Sequence, residues 1–86
     1  MKKQITLPQN TIIALQSLGK CIKTTRIKQG ITATAMADMM DTTRVTLGSI
    51  ESGQPSVSMG HYLKAMSILG IDMRLTNILI EEVAKS

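Results

Sequence analysis

The chain has 86 residues with a formal net charge of +4, and a length that small sits near the lower limit at which one core is stable without a staple, so association would help it. A lone Cys21 excludes an internal disulfide, and with His61 the single histidine no zinc site of ordinary spacing can be assembled. No glycine-rich phosphate loop or acid–base constellation is present, so neither an enzyme nor a cofactor or metal is expected.

Met1-Lys2-Lys3 leads into Gln4, Thr6 and Pro8 instead of a long apolar run, which predicts no signal peptide, no membrane span and a cytoplasmic protein. Residues 1–10 read as an N-terminal arm. Polar and apolar residues alternate from Lys2 to Pro8, a pattern that fits a short strand, an extended arm or a frayed terminus. Residues 11–86 then read as a single all-helical domain of five helices.

The first helix is expected from Thr11 to Lys28, with Ile12, Leu15, Gly19, Ile22 and Arg26 recurring at three and four and Gly30 ending it. Thr32 can cap a second helix, with Ile31 stapled onto Met36; Met36, Ala37 and Met40 share its apolar face. A tight turn follows at Asp41, a residue that tolerates the left-handed backbone less readily than glycine. Thr42 or Thr43 caps the third helix, Leu47 and Ile50 point inward, and Gly53 stops it. Arg44, Thr46 and Ser49 are left facing out. Gly48 inside this helix either lets it sit close to a partner or is neutral variation.

Gly53-Gln54-Pro55-Ser56 is a loop. The fourth helix starts at Ser58, carries Tyr62, Leu63, Met66 and Leu69 on its apolar face and ends at Gly70; His61 reads as a surface residue or a contact within that helix. The fifth runs from Asp72 into Glu82. Leu75, Ile78, Leu79 and Val83, with Ile71 and Ile80, give it more apolar character than one face needs, which fits a dimer or partner surface, or packing on the domain's own core.

Charge is unevenly spread. Through Arg44 there are seven basic residues against Asp38 and Asp41, whereas the remainder carries three basic residues against four acidic ones. A basic N-terminal half fits a surface that meets a polyanion, although a solvated surface with chance clustering gives the same count.

Two short capped helices around a tight turn are the layout of a DNA-reading helix-turn-helix. From Leu18 to about Leu75 the chain resembles the Cro/repressor-type (XRE-like) helix-turn-helix family. Arg26 and Gly30, Ile31-Thr32, Ala37, and Ile50-Glu51-Ser52-Gly53 carry the likeness. The resemblance implies a lambda-repressor-like fold and an ion pair between Arg26 and Glu51, whose guanidinium can also present an N–H edge to phosphate. Pro55 to Met66, followed by Leu69-Gly70-Ile71-Asp72, looks like the HipB-like branch, whose members are antitoxin-repressors paired with a HipA-type kinase toxin.

By the family's geometry Arg44, Val45 and Ser49 face bases in the major groove of double-stranded DNA. Arg44 suits guanine, and Val45 suits a thymine methyl or else belongs to the core. Thr32, Thr43, Thr46 and Ser52 suit phosphate, with Lys23 and Lys28 adding general attraction. Where the family commonly has a phosphate-binding glutamine after the cap of helix two, this chain has Ala33. One monomer offers few contacts, so a homodimer on a palindromic operator is expected. A free-standing or phage-type repressor, or an interaction module that has lost DNA binding, are the alternatives.

Overall fold

The computed structural model describes residues 6–71, which form four helices: α1 (Gln9–Lys28), α2 (Ala33–Met39), α3 (Arg44–Glu51) and α4 (Met59–Leu69). No strand occurs among the described residues, and Thr6, Leu7 and Pro8 have no regular structure. The expected fifth helix, and all of the N-terminal arm before Thr6, lie outside the described residues.

Helix α1 begins at Gln9, two residues before the start near Thr11 that its apolar spacing predicts. The Pro8 carbonyl accepts the Ile12 N–H as the first bond of the helix and also the Thr11 N–H, both at 3.0 Å, the second satisfying an orphan donor that no capping side chain reaches. The other three starts follow the cap chemistry. Thr32 accepts from the Ala35 N–H, Thr43 from the Thr46 N–H and Ser58 from the His61 N–H.

All four helices stop in the same way. A left-handed residue lets its own N–H and the next one fold back on the last carbonyls: Gly30 and Ile31 bond Ile27 and Arg26, Asp41 and Thr42 bond Asp38 and Ala37. Gly53 and Gln54 bond Ile50 and Ser49, and Gly70 and Ile71 bond Ser67 and Met66. Three of these positions are glycine. The fourth, the turn between α2 and α3, is Asp41 at φ 54°. A side chain there costs about 1–2 kcal/mol, partly returned because glycine loses more entropy on folding. Asp41→Gly should therefore raise stability by several tenths to about 1 kcal/mol, seen as a higher denaturant midpoint at unchanged slope. A lowered midpoint would mean that the Asp41 side chain itself holds the turn.

Ile22, Met36, Met40, Leu47, Ile50 and Tyr62 are the largest fully buried side chains, and Ala37, Ala65, Met66 and Leu69 complete the core. Helix α3 packs on both α1 and α2, and α1 packs along α4. Ile31, Val57 and Leu63 pack on the edge of this cluster, Ile31 as its staple position anticipates. Methionines take the place of aromatics because an unbranched chain fills irregular gaps. The Tyr62 hydroxyl donates to the Gln54 carbonyl at 2.7 Å, tying α4 to the loop after α3. Burial raises its pKa above the usual 10, so this contribution is complete below pH 10 and fades as pH climbs through the raised value.

Candidate nucleic-acid interface

Two contacts fix the attitude of α3. Its C-terminal end is locked to α1 by Arg26 and Glu51: Nε donates to Oε2 at 2.7 Å and an Nη donates to Oε1 at 3.3 Å. The other Nη donates to the Ile31 carbonyl at 2.8 Å, so one guanidinium binds the end of α3 and the link into α2. The side chains are 9% and 10% exposed. The ion pair inferred from the family pattern is present. Its expected phosphate-facing edge is not favoured, because Arg26 is buried and turned to protein acceptors.

The second contact is backbone on backbone. A Cβ at Gly19 would lie 2.5 Å from the Ile50 carbonyl oxygen and 2.7 Å from that of Glu51. A Cβ at Gly53 would lie 2.5 Å from the Gln16 Cα and 2.6 Å from the Leu15 carbonyl oxygen. Two glycines 34 positions apart thus let α1 touch the end of α3 without intervening side chains.

With that end held, the opposite side of α3 is free. Leu47 and Ile50 are buried, while Arg44 is exposed and Val45 is 81% exposed. Val45 is therefore not a core residue, the alternative that its apolar character left open. Nothing lies within 4 Å of a Cβ built at Gly48, which is exposed, and Ser49 is half-buried beside it. Arg44, Val45, Gly48 and Ser49 are on or beside the outward surface of one short helix.

The hydroxyls differ in what they have left to give. Thr43 accepts from the Thr46 N–H and donates to the Thr46 hydroxyl at 3.1 Å, which leaves the Thr46 hydroxyl proton free for an external acceptor. Thr32, exposed, accepts from the Ala35 N–H and likewise keeps its proton. Ser52 instead donates to the Ser49 carbonyl at the far end of α3, away from Arg44. Lys23 is exposed one turn before Arg26, whereas Lys28 projects from the opposite side of α1 at about 100° per residue. Arg44, Val45, Thr46 and Ser49 thus lie on α3 with Thr43 as its N-cap, while Ser52 and Lys28 lie apart from Arg44.

Sequence spacing did not indicate the approach of α4 to the turn. Met40, Asp41, Ser58, Gly60, His61 and Lys64 line one open hollow of about 300 Å³. His61 and Lys64, both exposed, thus stand beside the helix-turn-helix turn. The His61 Nδ1 lies 2.6 Å from the Ser58 hydroxyl, a contact within its own helix start. No described helix is long and apolar enough to cross a membrane.

Comparison with known proteins agrees with this geometry. No curated protein matches the chain. A helix-turn-helix family model matches residues 22–75, which runs from the buried Ile22 of α1 through α4. With more than half its length matched, and with paired capped helices around a left-handed turn, the chain belongs to the DNA-binding helix-turn-helix family of XRE type.

Proposed function

We propose that the protein is a sequence-specific transcriptional repressor that binds its own promoter as a homodimer. Its finer role in this reading is antitoxin to a HipA-like kinase toxin. The chain is read as a binding protein and not an enzyme, in the cytoplasm with the DNA. The observation that carries the reading is the outward surface of α3, where Arg44 and Val45 are presented to solvent while the same helix is clamped from behind by Glu51 and Gly53. A rigid helix with an arginine in its first turn is what base reading requires. Arg44 donates to guanine O6 and N7, Val45 meets a thymine methyl, and Ser49 completes the base-facing set. Thr32, Thr43 and Thr46 with nearby backbone N–H groups hold phosphates, and Lys23 adds attraction. Two copies read half-sites about 34 Å apart. The toxin assignment draws on the HipB-like pattern from Pro55 to Asp72.

The test is binding to a labelled fragment of the protein's own upstream region against scrambled DNA, over a salt series. The upstream fragment is expected to bind more tightly, with affinity falling steeply as salt rises. Arg44→Ala should cost about 1–3 kcal/mol and erase most of that preference. Equal, weak binding to both fragments would overturn the reading and favour an interaction module. Co-purification with the product of the adjacent gene separates antitoxin from free-standing repressor.

A further inference from the structure

Helix α1 has 20 residues against 11 in α4, and one whole side of it stays in solvent. Gly19, Ile22 and Arg26 mark the side turned to the core. At about 100° per residue the opposite side carries Ile13, Lys20, Thr24 and Ile27, all exposed, with exposed Lys23 beside them. Ile13 is 52% and Ile27 57% exposed, so the row is not apolar surface borrowed from the core. We propose that this side of α1 is a docking surface for a helix of a partner protein, one that carries an acidic centre between two apolar turns.

Three observations select that chemistry. The first is spacing. Ile13, Lys20 and Ile27 recur at seven residues, the interval that keeps side chains in line along a helix, and span about 21 Å at 1.5 Å per residue. A straight apolar, basic, apolar row of that length is matched by another helix and not by a compact ligand. The second is charge. Helix α1 contains no acidic residue, Arg26 is already held by Glu51, and among the described residues neither Lys20 nor Lys23 has a carboxylate within salt-bridge distance. A basic head between two apolar side chains is complemented by a carboxylate set between two others. A second copy of the chain does not supply it: a two-fold axis that sets Ile13 of one copy on Ile27 of the other brings the two Lys20 ammonium groups together, like against like. The third is orientation. Helix α3 ends against Gly19 and Arg26, about 100–120° around α1 from Lys20. An aliphatic row gains nothing from a phosphate backbone, so a nucleic acid would engage the lysines and leave Ile13 and Ile27 in water. Docking on this side leaves the outward surface of α3 uncovered, and neither activity requires the other.

The probe is an alanine-based helical peptide of about three heptads with leucine, glutamate and leucine at seven-residue spacing, added to the full chain labelled with nitrogen-15. Saturable amide shifts are expected along residues 13–28 and not at Arg44 or Val45. Lys20→Glu should weaken binding at least about tenfold, and replacing the peptide's glutamate by lysine should restore it to that variant. Restoration by the exchanged charge separates docking from any loss of fold. No saturable shifts, or shifts that ignore the exchange of charge, would overturn the proposal. Movement of the same amides with chain concentration alone would assign the side to a second copy, and larger movement with a scrambled DNA duplex than with the peptide would assign it to nucleic acid; each of these also overturns it. A chain that ignores its operator can still bind the peptide, so this proposal and the repressor reading fail separately.

Discussion

Replacing Glu51 by alanine should destabilise the fold by about 3–5 kcal/mol, the cost of stranding a charge whose partner has been removed from a buried pair. Arg26 would keep the Ile31 carbonyl but lose both carboxylate oxygens, in surroundings that leave its side chain 9% exposed. For a domain of this size each 1 kcal/mol moves the melting point by roughly 4–8 °C, so a drop of at least about 12 °C is expected. Arg26→Met with Glu51→Leu removes both charges, and should recover most of the loss because neither is then left unpaired. Thermal melts of the single and double variants decide the matter. A single-variant loss under about 1 kcal/mol would place the pair among ordinary surface salt bridges, which contribute little.

Gly53→Ala should be costlier than Gly30→Ala, although both glycines have φ 73°. The backbone penalty of a left-handed alanine, about 1–2 kcal/mol, is common to the two. What differs is space. A methyl at Gly30 meets nothing within 4 Å, whereas at Gly53 it lands 2.5 Å from the Gln16 Cα and 2.7 Å from the Gln16 nitrogen. Those atoms are backbone of a long helix and cannot rotate aside, so overpacking adds about 1–3 kcal/mol and pushes α1 off the end of α3. Urea denaturation of both variants measures the difference directly. Equal losses would show that the helix contact accommodates a methyl and that only the turn conformation matters.

What was readable in the chain was local. Hydroxyls before apolar runs marked Thr32 and Ser58 as caps, and narrowed the third to Thr42 or Thr43, of which Thr43 caps, because a cap bonds an N–H three residues on, within reach of any sequence window. Asp41 was recognisable as the turn because few side chains tolerate that backbone. The start of α1 was missed by two residues because Pro8 offers its carbonyl and no side chain, leaving no capping hydroxyl to read. The pairing of Arg26 with Glu51, 25 positions apart, came from family pattern and not from periodicity. Nothing of either sort linked Gly19 to Gly53. Each glycine had a sufficient local explanation, one in an apolar stripe and one as a helix stop, and the contact exists only once α1 and α3 are assembled. Val45 was ambiguous for a related reason: an apolar residue next to Leu47 fits a core by type, and only the helix's rotation exposes it.

The exposure of Val45 and Arg44, with the open space around Gly48, separates two tasks within eight residues of chain. Leu47, Ile50 and Glu51 hold the domain together; the exposed Arg44, Val45 and Gly48 contribute little to that. Substitutions at the second group are close to neutral for folding, and for Gly48→Ala favourable by up to about 1 kcal/mol. In the proposed repressor, operator preference is consequently free to drift, or to be rewritten in the laboratory, position by position and without compensating changes in the interior.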